Sequence, residues 1–542
     1  MEGFTLAYYI RDTKENLRKN DILNLFATAT PYGDKIKENL APYPADKEEL
    51  LKQEFEELKA AITYLKEVPK SRFEEIKDSL MQIVSVDLVI EYLEGKAILN
   101  SPMLFNLNKF LFIAKRVADL MENTSWFSNT QIRWQFNEKL YKLLKIKASY
   151  SFYIGSYGDE AYEQFIFNLR KLEVELSNLI KNEENRLLKY YALEGRVFID
   201  GALLVNKNSE ELVSELAGSD AFIVTKETFT AVTFSRKEIK QEILLKEKID
   251  ELKSVLQAKE NQLYENLSDE IREHSSYIRE LTEKVGKFDW LLAKAVYAVN
   301  HSATIPVINS HEYIFKVHDG VHPIIKKELQ GLGKEFSPLT IKLESGVAVL
   351  TGANMGGKTI TLKTVGALLI MAQMGLPVTA RYFEFKPADF IYTSLNEEKD
   401  LVGLSSFGAE VQSLNEVIEL KNMWGLILLD EIANGTNPEE GIALAKAILN
   451  TLMKGKCSVL VTTHFDGLSS EKGVVHWQVK GLRKLKDIVS IGDIYANFDY
   501  GLEKVTAKDT VPKDALKVAY LMGMNKEVLL LAEKYLVTNG EE

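Results

Sequence analysis

A glycine-rich segment in the second half of the chain has the residue types and spacing that bind phosphate groups. An apolar run, Val347–Leu350, precedes it and a helical pattern, Ile360–Met371, follows it. The glycines let backbone N–H groups turn toward phosphates, and the helix N-terminus adds partial positive charge. We therefore predict an ATP site in which Lys358 contacts the β- and γ-phosphates and the Thr359 hydroxyl binds Mg²⁺. The segment fits G-x-x-x-x-G-K-[ST] and consists of Gly352, Ala353, Asn354, Met355, Gly356, Gly357, Lys358 and Thr359.

Two carboxylates follow a second apolar run. Leu426–Leu429 has the composition of a buried strand, and Asp430 and Glu431 come directly after it. Phosphoryl transfer needs mainly positioning and charge neutralisation, so a metal, a lysine and a polarised water suffice. We expect Asp430 to hold Mg²⁺ through water and Glu431 to orient or deprotonate the attacking water. The alternative, an exposed acidic turn after a strand, is disfavoured because the phosphate-binding pattern is also present.

A third apolar run ends in a histidine. Val459–Val461 leads into Thr462, Thr463 and His464. A lone histidine at the end of a strand is usually structural. His464 nevertheless follows the acidic strand where a sensor of the γ-phosphate is expected, and we therefore favour a catalytic role for it.

Composition limits the classes of protein to consider. With 542 residues, the chain has room for about three domains. Hydrophobic content is 46% and charged content 27%, which is ordinary for a globular protein. The formal net charge of −11 argues against a generally basic nucleic-acid-binding surface, although a local basic patch stays open.

The sequence also indicates the cellular compartment and the role of the single cysteine. We predict a cytosolic protein, since the N-terminus has no signal-peptide pattern and no run approaches the roughly eighteen apolar residues of a membrane span. Cys457, the single cysteine, cannot form an internal disulfide and is interpreted as a small hydrophobe packed in a strand.

The spacing of apolar residues changes along the chain. Residues 1–190 predict helices, because apolar residues recur at three- and four-residue steps among Glu and Lys. A small β-containing insert follows, since short runs rich in β-branched and aromatic residues alternate with turn residues. The predicted strands are Arg196–Ile199, Leu203–Val205, Ala221–Thr225 and Phe229–Phe234.

Long helices are predicted next, over 236–298, with a heptad-like seam that begins at Leu245. They are either a packed helical hairpin or a lever arm, and the spacing does not choose between these two. From about residue 305 strands and helices alternate, which indicates a parallel sheet, and the residues from Val511 onward predict amphipathic helices. The fold class expected is multidomain: an all-α core and lever region with a small β-containing insert, then an α/β P-loop domain with C-terminal helices.

These motifs together resemble those of the MutS family of ABC-type ATPases. The upstream segments Thr28–Leu40 and Lys287–Pro306 resemble the opening of the family's helical core and the end of its lever helices, so the resemblance covers the chain from about residue 20. The motifs that carry the resemblance are Gly320–Pro323 (GVHP), Thr351–Thr359 (TGANMGGKT), Asp400–Val411 (DLVGLSSFGAEV), Asp430–Gly441 (DEIANGTNPEEG), Thr462–Phe465 (TTHF) and Val511–Leu536.

The resemblance implies dimers with two composite nucleotide sites, built by two copies of this chain or by this chain and a related subunit. One subunit would supply the P-loop and acidic strand, and the other its signature loop. By this resemblance Phe336 is expected to stack on adenine. The residues expected to face the partner's γ-phosphate are Ser405, Ser406, Gly435, Thr436 and Asn437.

The same resemblance implies a division of the chain. We expect a helical core domain over 1–190, the insert over 191–235, lever or clamp helices over 236–304, the P-loop ABC-type ATPase domain over 305–505 and a helical dimerisation segment over 506–542.

Departures from the family pattern bear on the function. Mismatch-detecting members carry an N-terminal reading domain with a Phe-x-Glu element and a connector domain, and we expect both to be absent here, together with a small C-terminal nuclease domain. Phe73-Glu74-Glu75 matches the short pattern but lies in a polar helical stretch, so we interpret it as coincidental. In the signature loop, Ala433-Asn434 replaces the common Gly-Arg, and Pro438–Glu440 is acidic.

Three functions stay open. The first is a DNA-coupled ATPase in which ATP closes a dimeric clamp around mismatched or branched DNA. Against it, acids outnumber bases between Lys246 and Lys284, and phosphate contacts dominate DNA affinity. The second is an ATP-dependent chaperone that reactivates a protein partner such as a cobalamin-dependent aminomutase. The third, a structural dimer with an inactive site, is disfavoured because the predicted catalytic and metal-binding residues are present. We predict the first, with the second as the alternative.

Overall fold

The structure of the protein is a computed structural model. It describes residues 8–10, 12–128, 132–146, 150–193, 195–352, 357–395, 404–433, 437–465, 467–482, 498–505, 516, 519–520 and 523–538. The chain forms two compact units. The first comprises Met1–Ile83, Ile113–Gln135 and Leu281–Glu542, and the second comprises Val84–Phe112 and Phe136–Glu280.

Helices account for most of the regular structure in the first 300 residues. One of them begins with a side-chain cap: the Thr30 hydroxyl accepts from the Gly33 N–H ahead of a helix that opens on Pro31. The α-helices are α1 Thr13–Asn16, α2 Lys19–Leu23, α3 Pro31–Glu38, α4 Glu48–Glu67, α5 Lys70–Met81, α6 Asp87–Glu94, α7 Ser101–Met121, α8 Ser125–Ser128, α9 Glu138–Leu143, α10 Glu160–Tyr190, α11 Glu210–Ala217, α12 Lys240–Arg272, α13 Ser275–His301, α14 Pro323–Gly331, α15 Lys358–Gln373, α16 Leu404–Glu419, α17 Pro438–Leu452 and α18 Lys526–Thr538.

The strands form three sheets. A seven-stranded sheet has the order β1-β10-β11-β12-β8-β13-β14, a three-stranded sheet β2-β4-β3 and a four-stranded sheet β5-β9-β6-β7. The strands are β1 Tyr9–Ile10, β2 Ala202–Asn206, β3 Phe222–Glu227, β4 Ala231–Arg236, β5 Val307–Ile308, β6 Ile314–Gly320, β7 Leu339–Glu344, β8 Gly346–Thr351, β9 Tyr382–Phe385, β10 Phe390–Ser394, β11 Gly425–Asp430, β12 Ser458–Thr462, β13 Val475–Leu482 and β14 Phe498–Lys504.

The seven-stranded sheet of the first unit is parallel from β1 to β13 and ends in the antiparallel pair β13–β14. Its central strands are buried on both faces, which explains their continuous apolar sequences. Alternate residues of β11 enter two different cores: Leu426 and Leu428 belong to one, whereas Ile427 and Leu429 belong to the other. Helix α15, which follows β8, is buried along most of its length and belongs to the first of these cores.

In the second unit, the long helices α10 and α12 contact each other. The three-stranded sheet has an apolar core of its own on one face. This core includes Leu187 at the end of α10, Leu216 of α11 and residues from all three strands, namely Leu203, Val205, Phe222, Val232 and Phe234.

The predicted elements agree with the structure in the central strands of the seven-stranded sheet and in the long helices after residue 236, and they differ in the insert. The predicted strands at Val347–Leu350 and Leu426–Leu429 lie within β8 and β11, and the long helices predicted over 236–298 are present as α12 and α13. The strand predicted at Arg196–Ile199 was wrong, because only Ile199 pairs, in an isolated bridge to Ala202 across a tight turn. An apolar run beside a turn was mistaken for a strand. Neither α11 within the insert nor β1 near the N-terminus was predicted.

Candidate nucleotide site

The predicted chemical groups converge because the strands that carry them are neighbours. Strands β11, β12 and β8 are adjacent and parallel, so their carboxyl ends meet at one edge of the sheet. The register pairs Asp430 with Thr462 and Thr462 with Leu350. The end of the acidic strand and the start of the glycine-rich loop therefore flank β12.

Glycines border the loop at both ends for backbone reasons. Gly352 has a φ of 142° and Gly357, which precedes α15, has a φ of 74°. Residues other than glycine disfavour these values. A Cβ at Gly352 would lie 3.0 Å from the Cβ of Val479, and one at Gly357 would lie 3.3 Å from Cδ1 of Tyr500. The predicted loop residues between the two glycines, Ala353, Asn354, Met355 and Gly356, lie outside the described residues.

Both carboxylate oxygens of Asp430 accept hydrogen bonds from threonine hydroxyl groups. Thr359 Oγ1 donates to Oδ2 at 2.7 Å, and the Thr462 hydroxyl donates to Oδ1. Asp430 is itself buried. Mg²⁺ prefers hard oxygen ligands and keeps several water or phosphate ligands, so the Thr359 hydroxyl beside the Asp430 carboxylate suits this ion. Within the described residues, no group of three or more His, Cys, Asp or Glu side chains is arranged to hold a metal ion.

Lys358, Glu431 and His464 come together at the same edge. The His464 Nε2 contacts the Glu431 carboxylate and lies 3.3 Å from the Lys358 Nζ. The Lys358 Nζ also donates to the Gly352 carbonyl oxygen at 2.8 Å. Burial lowers the pKa of Lys358, and the negative charges of Glu431 and Asp430 act in the opposite direction. An added phosphate would likewise favour the charged amine.

Glu431 has an unusual backbone conformation. Its φ is 56°, in the left-handed region that costs energy for residues other than glycine. Its N–H lies 3.2 Å from both the carbonyl oxygen and Oγ1 of Thr462. Strain of this kind is found where a structure positions reactive groups.

Of the remaining predicted residues, the structure describes some fully and others only in part or not at all. Phe336 lies half-buried in the connection between α14 and β7. Ser405 and Ser406 belong to the first turn of α16, but their side chains lie outside the description, as do Gly435 and Thr436 entirely. Asn437 precedes α17, where its side chain accepts from the Glu439 N–H at 3.0 Å.

The structure adds residues that no motif in the sequence indicated. The Tyr500 ring of β14 lies beside Gly357, as described above. His476 of β13 lies with Nε2 2.8 Å from Oγ1 of Thr351, the residue before the loop, and burial lowers the pKa of this histidine. Sequence analysis missed both because they follow the loop by more than a hundred positions and approach it only through pairing of β13 with β8 and β14.

Comparisons with known proteins agree with this geometry. Residues 348–538 match the family model of MutS domain V. The chain is 27% identical over 487 residues to the Endonuclease MutS2 of Clostridium botulinum strain 657, an alignment that covers 84% of this chain and 57% of that protein. It is 25% identical over 529 residues to the DNA mismatch repair protein MutS of Thermotoga petrophila, which covers 92% of this chain and 62% of that protein.

A third relative is the Endonuclease MutS2 of Fusobacterium nucleatum, 28% identical over 311 residues that cover 55% of this chain and 37% of that protein. The chain thus spans less than two thirds of the length of each of these relatives. Among the helices of the described residues, none is both long and apolar enough to span a bilayer.

Proposed function

Because the chain belongs to the MutS family, we propose that it binds Mg·ATP and hydrolyses it in an ABC-type P-loop domain over residues 305–505. The observation that carries this proposal is the convergence of five predicted side chains at the carboxyl edge of one parallel sheet. They are Lys358, Thr359, Asp430, Glu431 and His464.

The proposed roles follow from which atoms face each other. Lys358 binds the β- and γ-phosphates, and its ammonium group exchanges the Gly352 carbonyl for a phosphate oxygen. Thr359 and, through water, Asp430 bind Mg²⁺. When bound, this ion neutralises charge on the phosphate oxygens. The loop residues Gly352–Gly357 donate backbone N–H groups.

Glu431 and His464 act on the nucleophile and on the γ-phosphate. The water oxygen attacks the γ-phosphorus, the bond to the β-phosphate oxygen breaks, and the Glu431 carboxylate orients the water and accepts its proton. His464 contacts Glu431 and approaches Lys358. This location supports its role as a sensor of the γ-phosphate, which would respond when a phosphate separates His464 from Lys358.

We propose two aromatic residues for contact with the adenine base. Phe336 is proposed from the family resemblance. Tyr500 is proposed because its ring lies beside Gly357, at the C-terminal end of the loop.

Composite sites in a dimer are part of the proposal. Ser405, Ser406, Gly435 and Thr436 would reach the partner subunit's nucleotide, and residues 506–542 would join the two subunits. Helix α18 supports this role because it exposes several apolar side chains, namely Val528, Leu530, Leu531 and Tyr535, and contiguous exposed apolar surface marks interaction sites. We retain the division into a core over 1–190, an insert over 191–235 and lever helices over 236–304 as a proposal.

The coupled task we propose is DNA binding by a clamp that closes with ATP and reopens after hydrolysis. Two relatives support it by name, one as a DNA mismatch repair protein and one as an endonuclease. Mismatched or branched DNA is the proposed ligand.

One experiment tests both the proposed ATP hydrolysis and its coupling to DNA. The ATPase rates of the full chain and of its Glu431→Gln variant are measured alone and with duplex, mismatched, branched and single-stranded DNA. The expected result is Glu431-dependent hydrolysis whose rate changes with one form of DNA. High salt should abolish that change, because it weakens DNA binding. Hydrolysis that ignores every DNA form removes the DNA clamp but keeps the ATPase. Hydrolysis that does not depend on Glu431 contradicts the site itself.

One feature favours the alternative, an ATP-dependent chaperone for a protein partner such as a cobalamin-dependent aminomutase. The three-stranded sheet exposes Leu204 and Ile223 by 65% and 52%, and Phe229 is fully exposed at a turn. Residues 195–238 hold seven Asp and Glu against five Lys and Arg. An apolar, slightly acidic surface suits a protein better than a phosphate backbone.

A further inference from the structure

Glu410, on α16, contacts the turn that follows the acidic strand. Its Oε1 accepts a hydrogen bond from the Ala433 N–H at 3.1 Å. Ala433 is only 2% exposed, so bulk water does not reach the site of this N–H easily. Since a buried N–H without an acceptor is costly, the Glu410 carboxylate allows the turn to remain buried.

The turn needs such support because its backbone is strained. Glu431 has a φ of 56° and Ala433 a φ of 61°, and residues with side chains keep this conformation only when neighbouring groups enforce it. Thr462 holds the N–H of Glu431, and Glu410 holds the N–H of Ala433. The two bonds lie on either side of Ile432, so together they set the direction in which the Glu431 side chain leaves the backbone.

The packing of α16 sets the position of Glu410. Leu414 and Val417 are four and seven residues further along the helix, and therefore on the same face. Both are buried in the apolar cluster that also contains Ile432. The Ser413 hydroxyl adds a hydrogen bond to the Tyr392 hydroxyl of β10. Glu410 extends this packed face toward the start of the helix, so the carboxylate that holds the turn is carried by an anchored element.

We propose that Glu410 is a positioning residue for ATP hydrolysis, which fixes the turn from Glu431 to Ala433 so that the Glu431 carboxylate meets the attacking water. This inference rests on the proposed function. It also links two parts of a composite site, because Ser405 and Ser406, proposed to reach the partner subunit's nucleotide, belong to the first turn of the same helix. A displacement of α16 upon dimer closure reaches Glu431 through Glu410.

The test compares Glu410→Ala and Glu410→Gln with wild type, with Glu431→Gln and with Glu419→Ala, which removes an exposed glutamate at the far end of α16. Steady-state ATP hydrolysis and equilibrium binding of Mg·ATP to the full chain are measured for each. Hydrogen–deuterium exchange of the Ala433 amide reports on the turn without nucleotide.

Glu410→Ala should lower kcat by roughly ten- to a hundred-fold, as small misplacements of catalytic groups do, while Mg·ATP affinity stays at the wild-type value. Its Ala433 amide should exchange faster. Glu410→Gln retains an oxygen acceptor, so it should keep most of the activity and protection, and Glu419→Ala should match wild type. A kcat for Glu410→Ala equal to wild type overturns the inference, as does a parallel loss of affinity and kcat, which is the signature of general damage. If wild type shows no Glu431-dependent hydrolysis, the proposed function fails instead. Unchanged exchange of the Ala433 amide in Glu410→Ala would exclude a role of the Glu410 hydrogen bond in holding the turn.

Discussion

The edge of the seven-stranded sheet and the three-stranded sheet of the second unit use their side chains in opposite ways. At the edge, the charged residues Lys358 and Asp430 are buried and their polar atoms are hydrogen-bonded. In the three-stranded sheet, one face packs a small apolar core while Leu204 and Ile223 stay exposed on strands that flank β4. Burying a charge is costly unless partners compensate it, whereas exposing an apolar side chain is tolerated singly and is informative when several cluster. We therefore propose that the first region serves the chemistry and that the second offers apolar surface to a partner.

The largest expected effect is at the sheet edge. Replacing Glu431 with Gln keeps the size of the side chain but removes its ability to accept a proton. We expect kcat to fall by about 10²–10⁴-fold, the usual contribution of a general base. Single-turnover hydrolysis and Mg·ATP binding measure the two steps separately, and binding should persist. Wild-type turnover in this variant would show that the carboxylate is not part of the reaction.

A buried histidine of the first unit should make stability depend on pH. His322 is fully buried, accepts from the Ile325 N–H through Nδ1 at 3.4 Å ahead of α14, and has a pKa lowered to about 3 by burial, with the charges of Arg18 and Lys363 adding to the effect. The unfolded chain binds this proton near the ordinary histidine value of about 6.5, whereas the folded protein does not. Stability is therefore present above that pH and is lost as pH falls from about 6.5 toward 3, by up to ~1.4 kcal/mol per pH unit.

Equilibrium unfolding of wild type and His322→Asn between pH 7 and pH 5 checks this slope. Asparagine can cap α14 but does not titrate, so the variant should show a shallower loss. His311→Asn, which removes an exposed histidine, is the matched control and should keep the wild-type slope. Equal slopes in all three proteins would rule out His322 as the origin.

A smaller effect is expected from adding one methyl group to the loop. Gly352→Ala forces a φ of 142° on alanine and brings its Cβ to 3.0 Å from Val479, at a cost of about 1–3 kcal/mol. We expect a lower unfolding temperature and weaker Mg·ATP binding. Gly331→Ala, at a position where a Cβ would meet no atom within 4 Å, should leave both close to wild type. If the two variants behave alike, the backbone at Gly352 is less constrained than its geometry indicates.

The smallest effect on stability is expected at the exposed turn of the three-stranded sheet. Phe229→Ser removes a fully exposed ring, so the free energy of unfolding should change by no more than about 0.5 kcal/mol and basal ATP hydrolysis should stay the same. Phe234→Ala, at a buried position of the same sheet, should cost about 3–5 kcal/mol. Binding of DNA and of a protein partner to the Phe229 variant then shows whether this exposed turn is used for recognition. Unchanged binding of both would exclude Phe229 from the recognition surface.

The accuracy of prediction also differs between these regions. The strand and helix on either side of the glycine-rich segment, and the acidic strand, could be predicted because each signal is local: a glycine pattern with Lys358 and Thr359, or an apolar run ending in Asp430 and Glu431. The insert was harder, since its short strands carry weak signals. The run Arg196–Ile199 looked like a strand, but a strand also needs a partner of matching register, and only Ile199 has one.

By itself, the sequence determined which residues we propose to bind phosphate and magnesium, because those residue types and spacings act through their own backbone and side-chain chemistry. The tertiary structure alone decided which distant residues support them. Tyr500 and His476 approach the loop through strand pairing, and Glu410 reaches Ala433 because α16 packs into the apolar cluster that also contains Ile432. Contacts between residues far apart in sequence depend on the order and register of strands and on helix packing, and no local pattern encodes these.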